Sequence, residues 1–110
     1  MPGKIPRLSH LQFLVLGALR SGPLAGREIR ERMETHGVRT RGPAFYQLMA
    51  RMEDAGMVSG SYSQEVIQGQ IIRERHYRIT DGGAAAWSEC SRFYLDVIGD
   101  FGPGGQLAGG

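Results

Sequence analysis

The hydrophobic pattern of the chain changes period at Gly56. Before it, apolar residues recur every three or four positions, as on one face of a helix. After it, MVSGSYSQEV and IIRERHYRIT are rich in Val, Ile, Tyr and Ser and bracket the loop IQGQ. Helices followed by one long hairpin, with its tip near Gln68-Gly69, give the expected fold class: mainly α with a β-hairpin. Tyr77 and Ile79 share a face of the hairpin that can reach a core. Arg73 and Arg75 lie nearer the tip and cannot both be buried, so the distal hairpin is expected to project into solvent.

Three helices are expected before the hairpin. Ser9 can cap a first one beginning HLQFLVLGALR, which stops at Ser21-Gly22-Pro23 and is apolar nearly all round, hence central and buried. A second runs from about Leu24 to His36, with Ile29 and Met33 inward, Arg27, Glu28, Arg30, Glu31, Arg32 and Glu34 outward, and Gly37 as its stop. The link VRTR leads to GPAFYQLMARMEDAG, where Gly42 can cap, Pro43 suits the first helical position and Gly56 suits the stop. At 100° per residue, Phe45, Leu48, Met49, Met52 and Ala55 fall on one face. Gln47, Ala50, Arg51 and Asp54 fall opposite, with Tyr46 at the flank.

After the hairpin, Thr80 or Asp81 can cap a last helix from about Gly83 to Phe101. Trp87, Cys90, Tyr94, Val97, Ile98 and Phe101 form a wide apolar stripe on it. Much of that stripe lies beyond the compact part of the chain, and a symmetric partner chain would cover it, with Leu11 and Leu14 of the first helix joining the seam. The organisation expected is a loose arm over 1–7, one unit of helices and hairpin over 8–80, a dimerisation helix over 81–101 and a disordered glycine-rich tail over 102–110.

A chain of 110 residues suits one domain with one modest core. Its net charge of +2 hides an asymmetry: residues 1–56 hold nine Lys or Arg against five acids, whereas residues 81–110 hold Arg92 against Asp81, Glu89, Asp96 and Asp100. A polyanion is attracted to one end and repelled by the other. The single cysteine excludes an intramolecular disulfide and fits a reducing, cytoplasmic setting. Lys4 and Arg7 before LQFLVLGAL resemble the front of a signal peptide, but no clean cleavage pattern follows and a largely apolar run of nine residues is far short of the roughly 20 that cross a membrane.

Three helices, a hairpin and a final helix follow one another in the order of a winged helix-turn-helix, a unit whose third helix fits the major groove while the hairpin, or wing, reaches the neighbouring backbone or minor groove. The residue types suit that use. Arg51 can donate to guanine O6/N7 or grip a phosphate, Gln47 can bond adenine N6/N7, and Tyr46 can reach a phosphate. Thr40, Arg41 and Pro43 stand where the helix start meets the backbone phosphates. On the wing, Gln70 marks the tip beside Gln68, and Arg73 and Arg75 flank Glu74. Glu53 and Asp54 read as solvated charge.

Catalysis finds little support. His10, His36 and His76 are dispersed, no His or Cys pair has metal-ligand spacing, and no cofactor motif is present. Cys90 sits among apolar positions and reads as a buried inert thiol more than a redox sensor. Trp87 and Tyr94, seven residues apart, fit plain interface packing, and two chains would also bring their rings together as walls of a site for a flat apolar effector. A winged-helix module that binds protein instead of DNA is the alternative, and a dimer that only sequesters small molecules is a third reading.

The stretches LSHLQFLVLGALRSGPLAGREI, FYQLMARMEDAGMV and RERHYRIT-DGG resemble the PadR family of bacterial transcriptional regulators, in that family's order and approximate spacing. The resemblance implies a winged-helix homodimer that represses transcription and pairs through its last helix. It places the family's usual tyrosine of the third helix on Tyr46, its glycine before the wing on Gly56, and its Thr-x-x-Gly pattern on Thr80 and Gly83. Pro43 stands where that family often has glycine. The short single C-terminal helix is similar to the smaller subfamily, some members of which bind hydrophobic or aromatic effectors.

Overall fold

A computed structural model describes residues 7–101, so the arm and tail expected at 1–7 and 102–110 lie, but for Arg7, outside the described residues. The first helix, α1, spans His10–Leu19. Ser9 Oγ accepts from the Gln12 backbone N–H at 3.1 Å and the Gln12 side chain accepts from the Ser9 N–H at 3.0 Å, a reciprocal cap that satisfies two otherwise orphaned donors.

Leu24 and Ala25 do not open the second helix as expected. They form a short strand, β1 (Leu24–Ala25), and the helix α2 occupies Gly26–Glu34. Two residues carry no period of their own, and what makes them a strand is a partner fifty positions away, with Leu24 opposite Tyr77 and Ala25 opposite His76. The third helix, α3, spans Gly42–Asp54. Its cap is Arg41, one residue earlier than expected, with extended backbone and no side-chain cap bond, so Gly42 is the first helical residue and Pro43 follows it. Gly56, at φ +76°, supplies the left-handed stop.

The hairpin consists of β2 (Val58–Ile67) and β3 (Gln70–Ile79), paired without a bulge from Val58↔Ile79 to Ile67↔Gln70. Gln68 and Gly69 both take positive φ, 52° and 79°, as a two-residue type I′ turn requires. With β1 the sheet is antiparallel in the order β1-β3-β2.

The final helix, α4, spans Asp81–Phe101 and starts two residues before the expected Gly83. The Thr80 hydroxyl donates to the Gly56 carbonyl at 2.6 Å and accepts from the Gly83 N–H at 3.0 Å, so one side chain joins the end of α3 to the start of α4. Val15, Leu16 and Leu19 of α1, Ile29 and Met33 of α2, Phe45, Met49 and Met52 of α3, and Val58 and Tyr77 of the sheet make one buried cluster. Within α3 the buried residues follow the expected apolar face, except that Ala55 is exposed and Leu48 half-buried. No helix among the described residues is long and apolar enough to cross a membrane.

Candidate nucleic-acid interface

Because Phe45, Met49 and Met52 anchor one side of α3 in the core, helical geometry sends Pro43, Gln47 and Arg51 outward, and all three are exposed. Arg41 is exposed just before them, while Thr40 is half-buried, its carbonyl accepting from Arg30 Nη2 at 2.9 Å and its hydroxyl oxygen buried without a hydrogen-bond partner. This bond ties α2 to the entry of α3 and fixes where the helix N-terminus, the positive end of its dipole, emerges.

Tyr46, 46% exposed, turns to the side of α3 and lines a crevice of about 350 Å³ with Gly26, Arg27, Tyr62, Arg73, Glu74 and Arg75. Three of the expected contact residues, Tyr46, Arg73 and Arg75, therefore meet where helix and wing join. Gln70 does not join them; it lies beside the turn, exposed at the wing's far end.

The two wing arginines have different surroundings. Arg73 is exposed and stacks over the Tyr62 ring, 4.4 Å from its centroid. Arg75 is half-buried, and its Nη2 donates to Glu53 Oε2 at 2.7 Å. Burial works to lower the Arg75 pKa, but the Glu53 hydrogen bond and charge outweigh it, and the pKa ends above its ordinary value. Glu53 is thus not the solvated charge its sequence position implied. One strand position earlier, Glu74 accepts from Arg27 Nε at 2.7 Å, a contact that raises the Arg27 pKa through the hydrogen bond and then the charge. Sequence reading missed Arg27, Glu53 and Glu74 because each partner lies more than twenty positions away and no local period connects them.

The residues expected at a seam between chains divide into two groups. Leu11, Leu14, Trp87 and Cys90 are covered, at least in part, by their own chain. Trp87 stacks on Phe13, with centroids 5.1 Å apart and planes 9° apart, while the Arg20 guanidinium lies over the Trp87 ring, 4.2 Å from its centroid. Leu11 and Leu14 lean on the core cluster and Cys90 is buried. Val97 is half-buried, whereas Tyr94, Ile98 and Phe101 are exposed, Phe101 by 82%, together with Leu95, which sequence reading had not singled out. Tyr94, Leu95 and Ile98 line a groove of about 380 Å³ against Leu8 and Phe13. Trp87 does not line it, so within one chain Trp87 and Tyr94 do not form a shared site.

Burial, then the nearby Glu89 charge, pushes the Cys90 thiol up, which lowers its thiolate fraction near neutral pH. A thiol reagent such as 5,5′-dithiobis(2-nitrobenzoate) should modify the folded chain at least about tenfold more slowly than the urea-unfolded chain. Equal rates would place Cys90 outside the protected interior.

The family model described as "Transcriptional regulator PadR-like family" matches residues 15–89. Among solved structures, a PadR family transcriptional regulator from Eggerthella lenta is 25% identical with a TM-score of 0.65, over 81% of this chain and 75% of that one. A PadR family transcription regulator from Clostridium difficile is 21% identical with a TM-score of 0.68, over 83% and 96%. Bacillus subtilis PadR in complex with operator DNA is 20% identical with a TM-score of 0.65, over 86% of this chain and 61% of that one. No curated protein matches the sequence. With the family model covering well over half of its length, from the middle of the first helix into the last, the chain belongs to the PadR-like family of transcriptional regulators.

Proposed function

We propose that this chain is a homodimeric DNA-binding repressor working in the bacterial cytoplasm, with one α3 in the major groove of each half-site of a palindromic operator. The observation that carries the reading is the exposed Pro43, Gln47 and Arg51 face of α3, seated by a buried opposite face and flanked by the wing. The operator complex of Bacillus subtilis PadR, similar in fold, supports it. The exposed run Tyr94, Leu95, Ile98 and Phe101 supports pairing through α4, since one chain leaves it uncovered. A hydrophobic or aromatic effector at that seam would release DNA by changing the separation or tilt of the two reading helices.

Selecting bound duplexes from a random pool gives the operator, and fluorescence anisotropy at several salt concentrations then tests the reading. Affinity should fall steeply with salt, by a log–log slope of about −0.9 per phosphate contacted. Arg51→Ala should cost about 1–3 kcal/mol at one base position, whereas Arg41→Ala should weaken all sequences and reduce the slope by about one. Loss of neither would mean that another face meets DNA.

A second reading, a winged-helix module that binds protein, is favoured by the wing's far end. Val66 and Ile71 face each other across the strands at 72% and 70% exposure, and no Lys or Arg occurs between Gln64 and Ile72. Binding to duplex DNA without salt dependence, or no binding at low salt, would decide for it.

A further inference from the structure

The Glu53–Arg75 pair joins the last turn of α3 to the wing, and the backbone between them is shaped to receive it. At Gly60 of β2, directly opposite Tyr77 in the ladder, an added Cβ would lie 2.6 Å from Glu53 Oε2, 2.8 Å from Arg75 Nη2 and 2.9 Å from Arg75 Nε, closer than real Cβ atoms approach. The pair therefore rests flat on bare backbone. A side chain at this position makes the tips of Glu53 and Arg75 shift from where they meet. Gly60 has no positive φ to explain it, so its role here is clearance. The Tyr62 and Tyr77 rings lie 5.0 Å and 5.7 Å from the same guanidinium and hold it in place, and both members of the pair are half-buried.

We propose that Glu53 and Gly60 are positioning residues for DNA recognition: the Glu53–Arg75 clamp on Gly60 sets the angle between the reading helix and the wing. An acidic residue on the reading helix then serves DNA binding without touching DNA, and Arg75 is withdrawn from the phosphates. Arg73, which has no carboxylate partner among the described residues, is left as the contact cation of the distal wing. The inference rests on the DNA reading above, but the clamp itself can be measured without DNA.

The test uses Glu53→Gln, Gly60→Ala and the charge exchange Glu53→Arg with Arg75→Glu, in the full chain. Spin labels at Ala50→Cys on α3 and Gln64→Cys on the wing, with Cys90→Ala, report the helix-to-wing distance distribution by electron–electron double resonance. Glu53→Gln and Gly60→Ala should broaden that distribution in the free protein, and the charge exchange should narrow it again. On the selected operator both single variants should lose about tenfold in affinity. Binding to random duplex should hold or strengthen, with a salt slope steeper by about 0.9, because the freed Arg75 gains a phosphate.

A purely structural role would lower thermal stability without changing the slope. Unchanged distances in both single variants would overturn the clamp. So would a loss of affinity and slope in Arg75→Ala with none in Glu53→Gln, which would make Arg75 a direct contact. If the unaltered protein binds no duplex, the DNA reading fails, while the distance measurement still judges the clamp.

Discussion

Phe45→Ala should lower the unfolding free energy by about 3–5 kcal/mol, the range for removing a fully buried aromatic ring. Phe45 is fully buried where α3 packs on α2. Its ring meets Tyr46 edge-on at 5.1 Å and 80°, lies under the Arg30 guanidinium at 5.9 Å, and approaches the backbone of Gly26. These neighbours stand on rigid helices, so little of the space left by the ring can close. A domain of this size has about 5–15 kcal/mol in all, and each kcal/mol moves Tm by roughly 4–8 °C, so the melting point should fall by well over about 10 °C. The loss reaches function as well. Phe45 seats the first turn of α3, so the outward direction of Gln47 and Arg51 depends on it, and operator affinity should fall even where the variant is folded. Urea unfolding checks the prediction through a lower midpoint at an unchanged slope. A loss below about 1 kcal/mol would show that α2 and α3 do not share this ring as a common support. Tyr46→Phe, one residue on and half exposed, is the control and should stay within about 0.5 kcal/mol.

What the sequence revealed, and what it did not, follows from the range of each interaction. Ser9, Gly56 and the Gln68-Gly69 turn act within four residues of themselves, and the structure places the cap, the stop and the type I′ turn where the sequence reading put them. The face of α3 follows from a 3.6-residue period that Phe45, Met49 and Met52 satisfy without help from the rest of the chain. The strand Leu24–Ala25 failed that reading because it exists only by pairing with Tyr77 and His76.

The candidate site shows the same division. Gln47 and Arg51 were legible because exposure on a known face is a local property. The separate fates of Arg73 and Arg75 were not, because what distinguishes them is a carboxylate on α3 and a glycine on the opposite strand. Trp87 read as a member of one continuous stripe on α4. Its stacking against Phe13 depends on how α4 crosses α1, and a helical period fixes only which residues share a face, not what covers each of them. The half of α4 nearer the sheet is thereby committed to its own chain, and the half from Tyr94 onward is left open.

That crossing gives the second large effect. Gly83→Ala should destabilise the protein by about 3 kcal/mol, whereas Gly82→Ala should be nearly neutral. Both glycines lie in the first turn of α4, where replacing Gly by Ala ordinarily stabilises a helix by up to about 1 kcal/mol. At Gly83 the added Cβ would collide with the Met57 carbonyl oxygen and press on Ile79 Cγ1 at 3.1 Å. A backbone carbonyl has no rotamer to escape into, and that same oxygen accepts from the Thr80 N–H at 3.1 Å, so moving it also strains the junction between sheet and helix. Overpacking against fixed backbone outweighs the propensity gain. At Gly82 the nearest atom is the Gly56 carbonyl oxygen at 3.3 Å, which needs only a few tenths of an ångström of adjustment. The consequence extends along the helix: α4 displaced at its start would carry Trp87 off Phe13 and shift the exposed run from Tyr94 to Phe101. In Gly83→Ala, then, Trp87 fluorescence should change along with the melting temperature, and the pairing through α4 proposed above, measured by analytical ultracentrifugation, should weaken. Equal stability of the two alanine variants would mean that the first turn of α4 does not press against the base of the hairpin as closely as Met57 and Ile79 indicate.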